Sequence, residues 1–117
     1  VKRKFRLSKS TDFQRVRRLG KSYAHPLVVL IALANQEGQT RFGVTAGRSV
    51  GNAVRRNRAK RLIRAAVHSR LDSVVSGWDI VLIARRPILE ANYQEIAQAI
   101  SQLLKHAGLM HVGFNSK

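Results

Sequence analysis

Residues 55–64, Arg55-Arg56-Asn57-Arg58-Ala59-Lys60-Arg61-Leu62-Ile63-Arg64, place six cations in ten positions with no acid among them. Charge at that density cannot enter a core, so the segment must lie on the surface and still find an anchor. A helix provides one. At about 100° per residue, Asn57, Lys60, Arg61 and Arg64 fall at i, i+3, i+4 and i+7 and share a stripe that Arg56 and Arg58 flank. Leu62, Ile63 and Ala66, with Ala59, project from the opposite side and can pin the helix to a core.

The wider chain shares this imbalance, with Lys+Arg 22 against Asp+Glu 6 and a formal charge of +16. No acid lies between Gly38 and Leu71, a window holding nine cations, and nine more fall between Lys2 and Lys21. Charge so localised repels itself unless a polyanion screens it, which points to nucleic acid. A hydrophobic content of 44% excludes a disordered basic tail, and 117 residues suit one domain, 1–117, with 1–9 a basic N-terminal arm expected to be mobile unless bound. The absence of cysteine excludes a disulfide framework, a thiolate zinc site and a cysteine nucleophile. The longest apolar run, 27–34, is under half a membrane span, so a soluble intracellular, cytoplasmic protein with no membrane partner is expected.

Local patterning predicts an α+β fold. Ser10 or Thr11 can cap a short first helix that carries Phe13 and Val16 and stops at Gly20. Residues 27–34 and 41–46 read as two antiparallel strands joined by a hairpin loop at 35–39. Asn52 stands as N-cap of the cationic helix, which should run to about Arg70, and Gly47 and Gly51 either make the turn before it or admit a phosphate. Residues 79–84 form a continuous apolar strand. Asn92 and Glu95 signal a capping box for a last helix with Ile96, Ala97, Ile100, Leu103 and Leu104 on one stripe. These elements, three strands among them, predict helices packed against one small sheet, without a three-layer arrangement.

Nothing in the residues suggests catalysis by the protein itself. His25, His68, His106 and His111 lack metal-ligand spacing, the six acids are dispersed, and no phosphate loop or nucleophile elbow occurs, so neither catalytic residues nor a metal site are expected in the protein. A phosphate-binding surface remains. The ridge has five arginines to one lysine, favouring planar, bidentate recognition of phosphate. Asn57 could contact a base edge, a ribose hydroxyl or a metal-bound water. Phe13 can pack in the core or stack on a base, while Tyr23, Trp78 and Tyr93 are expected to be structural.

The segment 41–64, containing Arg41-Phe42-Gly43, Gly51-Asn52-Ala53-Val54 and Arg56-Asn57-Arg58-Ala59-Lys60-Arg61-Leu62-Ile63-Arg64, resembles the hallmark of the bacterial ribonuclease P protein subunit. Arg6-Leu7, Asp12-Phe13, Val16, Gly20 and the run from Asp79 to Arg85 extend the likeness along nearly the whole chain. The resemblance implies a four-stranded α+β fold of order α-β-β-(β)-α-β-α, with an unusual left-handed βαβ crossover around the cationic helix. It implies a subunit of an endoribonuclease that removes the 5′ leader of precursor tRNA, with the active site and Mg2+ held chiefly by the RNA subunit.

Its implied partners are one catalytic RNA per protein and precursor tRNA. Residue by residue, it implies RNA contacts from Arg55, Arg56, Asn57, Arg58, Lys60, Arg61 and Arg64 and from Arg48 and Asn52 in the preceding loop. It also implies a leader cleft at Phe13 and Arg17. The chain departs from the family pattern where Arg17 replaces a second aromatic and where a basic pair is reduced to Arg48 and Ser49. The alternative from composition is a ribosomal or nucleoid structural protein that binds RNA or DNA without promoting a reaction; membrane-surface binding fits less well because no helix pairs its cations with a large aromatic face.

Overall fold

The computed structural model describes residues 5–111. Three helices, α1 (Ser10–Leu19), α2 (Ala53–His68) and α3 (Tyr93–His106), accompany four strands, β1 (Lys21–Ala24), β2 (Val28–Ala34), β3 (Arg41–Ala46) and β4 (Trp78–Ala84). The order along the chain is α1-β1-β2-β3-α2-β4-α3, and the fold is α+β.

The sheet order is β1-β2-β4-β3. This overturns the hairpin expected between residues 27–34 and 41–46: β4 lies between them, antiparallel to β2 and parallel to β3. An all-apolar strand such as Ile80-Val81-Leu82-Ile83 must satisfy its backbone on both sides, and a central position does so. The loop expected to turn a hairpin crosses the start of β4 instead. Asn35 N donates to Gly77 O at 2.9 Å, and Thr40 Oγ1 donates to Val75 O and accepts from Trp78 N. The true hairpin joins β1 and β2, with Lys21 opposite Ala32 and Ala24 opposite Val29. β1 escaped the count of three strands because it is a four-residue, mostly exposed edge strand with no apolar alternation.

Because side chains alternate across a strand, the sheet has two apolar faces. Val28, Leu30, Ile80 and Leu82 face α2 and α3, whereas Ile31 and Val81 face α1. The sheet is therefore covered on both sides, correcting the expected absence of a three-layer arrangement. Val16 anchors α1 and Ile63 anchors α2, each fully buried and worth roughly 1.5–3 kcal/mol.

Two caps match their sequence signals. Asn52 Oδ1 accepts from Arg55 N at 3.0 Å, and Asn92 and Glu95 exchange side-chain-to-backbone bonds of 2.9 Å. Helix α1 is different. Lys9 occupies its N-cap position without a side-chain bond, and neither Ser10 nor Thr11 caps it. Gly20 ends it as expected, through close packing: a Cβ there would lie 2.6 Å from Val16 O. Helix α2 stops at His68, two residues short of the expected end, and Arg70 has left helical geometry with φ −117° and ψ 4°.

Within the arm expected at 1–9, Arg6 and Leu7 are docked on β3. Arg6 forms a parallel bridge with Phe42, Leu7 N donates to Phe42 O at 2.8 Å, and Leu7 is buried. Residues 1–4 lie outside the described residues.

Candidate RNA interface

Helix α2 connects the parallel neighbours β3 and β4, so it lies across one face of the sheet as a crossover. Ala59, Ile63, Ala66 and Val67 are its buried positions, and Leu62 packs partly against the same cluster. The anchor read from the sequence is thus in place. Above it, Arg55, Asn57, Arg58 and Arg61 are exposed, while Arg56, Lys60 and Arg64 are half-buried.

The ridge is splayed rather than single. Asn57 and Arg61 point away from the core, Arg55 and Arg58 line a concavity with Ile88, Leu89 and Glu90, and Arg64 turns to the opposite flank, toward α1. No residue of the helix forms an ion pair among the described residues; the pairs found are Arg15 with Asp12 and Asp79, and Arg41 with Asp79. Burial, and secondarily the charge of Arg6, lowers the pKa of the Arg64 guanidinium, although arginine stays charged.

The preceding loop presents Arg48 and Asn52 as exposed residues, with the Asn52 side-chain oxygen engaged as cap. Gly51 has φ +130°, a backbone reserved for glycine, so the turn itself requires it. Gly47 is extended. Val54, in the first turn of α2, is 76% exposed, and nothing among the described residues accounts for an apolar side chain there.

On the other face, Phe13 is half-buried and lies against Gly43, where a Cβ would come within 2.5 Å of the ring. Arg17, one turn later, is exposed. Phe13 lines a cavity of about 250 Å³ with Arg6, Phe42, Val44 and Arg64, and Arg17 does not line it. The structure therefore joins Phe13 with Arg64, two residues assigned to separate surfaces from sequence.

Sequence reasoning missed what orients α1. Asp79, fully buried at the head of β4, accepts from Arg15 Nη2 at 2.6 Å, Asn35 Nδ2 at 2.8 Å, and Arg41 Nε and Nη2 at 2.9 Å each. Burial pushes this carboxyl up, but hydrogen bonds from Arg41, Arg15 and Asn35 together outweigh it and hold it below the usual carboxylate range. The same bonds raise Arg15 and Arg41. A carboxylate opening an apolar strand was the available signal, since such a group needs a cationic partner.

Among the described residues no three His, Asp or Glu side chains are grouped to hold a metal ion. His25 Nδ1 accepts from Leu27 N at 3.0 Å, and the rings of His106 and Tyr23 meet edge-on at 5.4 Å. Trp78 packs partly buried against the main core cluster. No helix among the described residues is long and apolar enough to cross a membrane.

These features define a class: a small basic α+β protein whose crossover helix carries cations with no ion pair among the described residues, beside a second, aromatic-lined concavity. Residues 1–108 match the family model Ribonuclease P. The ribonuclease P protein component of Herpetosiphon aurantiacus is 39% identical over 95% of this chain and 90% of its own length. That of a Bacillus cereus strain is 36% identical over 96% and 98%. The structure of the Staphylococcus aureus RNase P protein superposes with a TM-score of 0.83 at 31% identity, covering 92% of this chain and 98% of that one. The chain belongs to the ribonuclease P protein family, the protein subunits of an endoribonuclease that works with an RNA subunit.

Proposed function

We propose that this protein assists the catalytic RNA of ribonuclease P in removing the 5′ leader from precursor tRNA, one protein acting with each RNA in the cytoplasm. The observation that carries the reading is α2, where Asn57, Arg58 and Arg61 stand exposed and no carboxylate pairs with the helix among the described residues. The charge of Arg58 and Arg61 is then free for phosphates, because no bridge among the described residues must be broken first. The whole set Arg55, Arg56, Asn57, Arg58, Lys60, Arg61 and Arg64, with Arg48 and Asn52, faces the catalytic RNA in this reading. Phe13 and Arg17 meet the single-stranded leader, Phe13 by stacking and Arg17 through phosphate.

Mg2+ is held chiefly by the RNA in this proposal. The protein's part is electrostatic: cations near the scissile phosphate offset repulsion between two RNAs and lessen the magnesium needed to bring them together. Family membership takes precedence over the ribosomal or nucleoid alternative. The test is reconstitution with the cognate catalytic RNA at low magnesium. Adding the protein should restore 5′ maturation of precursor tRNA, and the protein alone should leave the leader in place; absence of stimulation would overturn the proposal.

A further inference from the structure

A second cavity, of about 430 Å³, lies at the outer edge of β3, where the N-terminal segment bridges Phe42 and α2 gives way to the turn Leu71–Ser73. Such a volume falls in the range of small-ligand sites, roughly 300–1,000 Å³. Phe5, Phe42, Leu71 and Val74 supply its apolar walls, and His68 and Asp72 are exposed polar groups on the same lining. Among the described residues neither Phe13 nor any arginine or lysine lines it, an exception in a chain of formal charge +16. Asp72 is one of only six acids, and unlike Asp12 and Asp79 it holds no ion pair among the described residues. A carboxylate with no cation beside it repels phosphate, so the electrostatics select a group that donates hydrogen bonds. The aromatic walls select a flat one. Among the four bases of RNA, guanine alone sets two donors, N1–H and the 2-amino group, side by side, so that both oxygens of one carboxylate accept at once. Adenine and cytosine present one amino group beside a ring acceptor that a carboxylate repels, and uracil presents one N–H between two carbonyls.

Resting on the reading of this chain as an RNA-binding subunit, we propose that this cavity reads an unpaired guanine base. Asp72 accepts from N1–H and the 2-amino group, His68 donates to O6, and Phe5 and Phe42 cover the ring. The site stands at the C-terminal end of α2, apart from the concavity that holds Phe13. The guanine can belong to an RNA strand or to a free nucleotide, since the base is the same.

Guanosine and inosine test the assignment, because they lack phosphate and differ only by the 2-amino group, so the cationic ridge adds nothing to the comparison. Titrated into the full chain and followed through the amide resonances of Thr40, Leu71 and Val74, guanosine should bind about ten-fold more tightly than inosine, as expected for one hydrogen bond to a charged acceptor. Asp72→Asn should abolish that preference, because the amide nitrogen places a donor where an acceptor is needed. Asp72 is exposed, so the variant should remain folded, as circular dichroism will show. Equal affinity for the two nucleosides, a preference that survives in Asp72→Asn, or resonances that guanosine leaves unmoved would each overturn the assignment.

In the reconstituted holoenzyme with precursor tRNA, a photo-crosslinking residue at Ser76, also on the lining, separates the two sources. An adduct mapped to a guanine in either RNA assigns the site to RNA, and guanosine binding without an adduct assigns it to a free guanine nucleotide. An adduct at a different base would overturn the proposal. Failure of the wild-type protein to stimulate the catalytic RNA would instead overturn the broader functional reading, which the nucleoside comparison does not touch, so the two failures are distinguishable.

Discussion

The ring of Phe13 rests on Gly43, so closely that a β-carbon at that glycine would come within 2.5 Å of the ring's tip. Gly43 sits on β3 beside Val81, and its lack of a side chain is what lets α1 hold an aromatic ring against the sheet. Replacement by alanine forces either the ring or the helix outward. Gly43→Ala should destabilise the fold by about 1–3 kcal/mol, seen in urea unfolding, and should weaken precursor tRNA binding more when the leader is present than when it is removed.

Asp79 ties Arg15 of α1 to Arg41 of β3. Asp79→Asn should cost roughly 2–3 kcal/mol, toward the low end for a broken buried pair because Arg15 and Arg41 still reach solvent. The pH dependence follows from the depressed carboxyl. Its stabilisation is fully present above the unfolded value near 4 and is lost as pH falls through the lower folded value. Wild-type unfolding free energy should therefore drop steeply on acidification below about pH 4, and the Asn variant should show a shallower drop over that window.

Arg58 and Arg61 are exposed on α2 with no intramolecular ion pair among the described residues. Alanine at either should leave thermal stability within about 0.5 kcal/mol of wild type and weaken affinity for the catalytic RNA by about 1–2 kcal/mol. A filter-binding series over salt concentration should show a smaller slope for each variant.

Arg17 stands one turn beyond Phe13 and is exposed. If it meets leader phosphate, Arg17→Phe should reduce the salt dependence of leader binding by about 0.7 in logarithmic slope, the contribution of one contact to a single strand. An unchanged slope would exclude that role.

The capping box at Asn92 lies on α3, far along the chain from the cationic helix. Asn92→Ala should lower stability by about 1 kcal/mol in chemical denaturation while leaving RNA affinity per folded molecule unchanged. This separates damage to the fold from damage to the interface.

Several parts of this protein were legible from local chemistry alone. Asn52 and Asn92 announced their helices because a cap acts within three residues, and β3 and the apolar body of β4 were visible because composition marks a buried strand. The anchored face of α2 was equally plain, since Ala59, Ile63 and Ala66 at helical spacing beneath cations can be buried in only one orientation.

Tertiary structure decided what those pieces meet. Hydrophobic pattern says that a strand is buried but not which strands flank it, so the insertion of β4 between β2 and β3 had no local signature. The same holds for charge: Arg15 and Asp79 are 64 positions apart, and only the fold shows that Arg15 and Arg41 are committed to a buried carboxylate. Arg6 and Arg64 are left facing a shared cavity because the N-terminal segment docks on the edge of β3. Sequence determined the charge and spacing of the cations; packing determined which of them are already neutralised and which remain without an ion pair among the described residues.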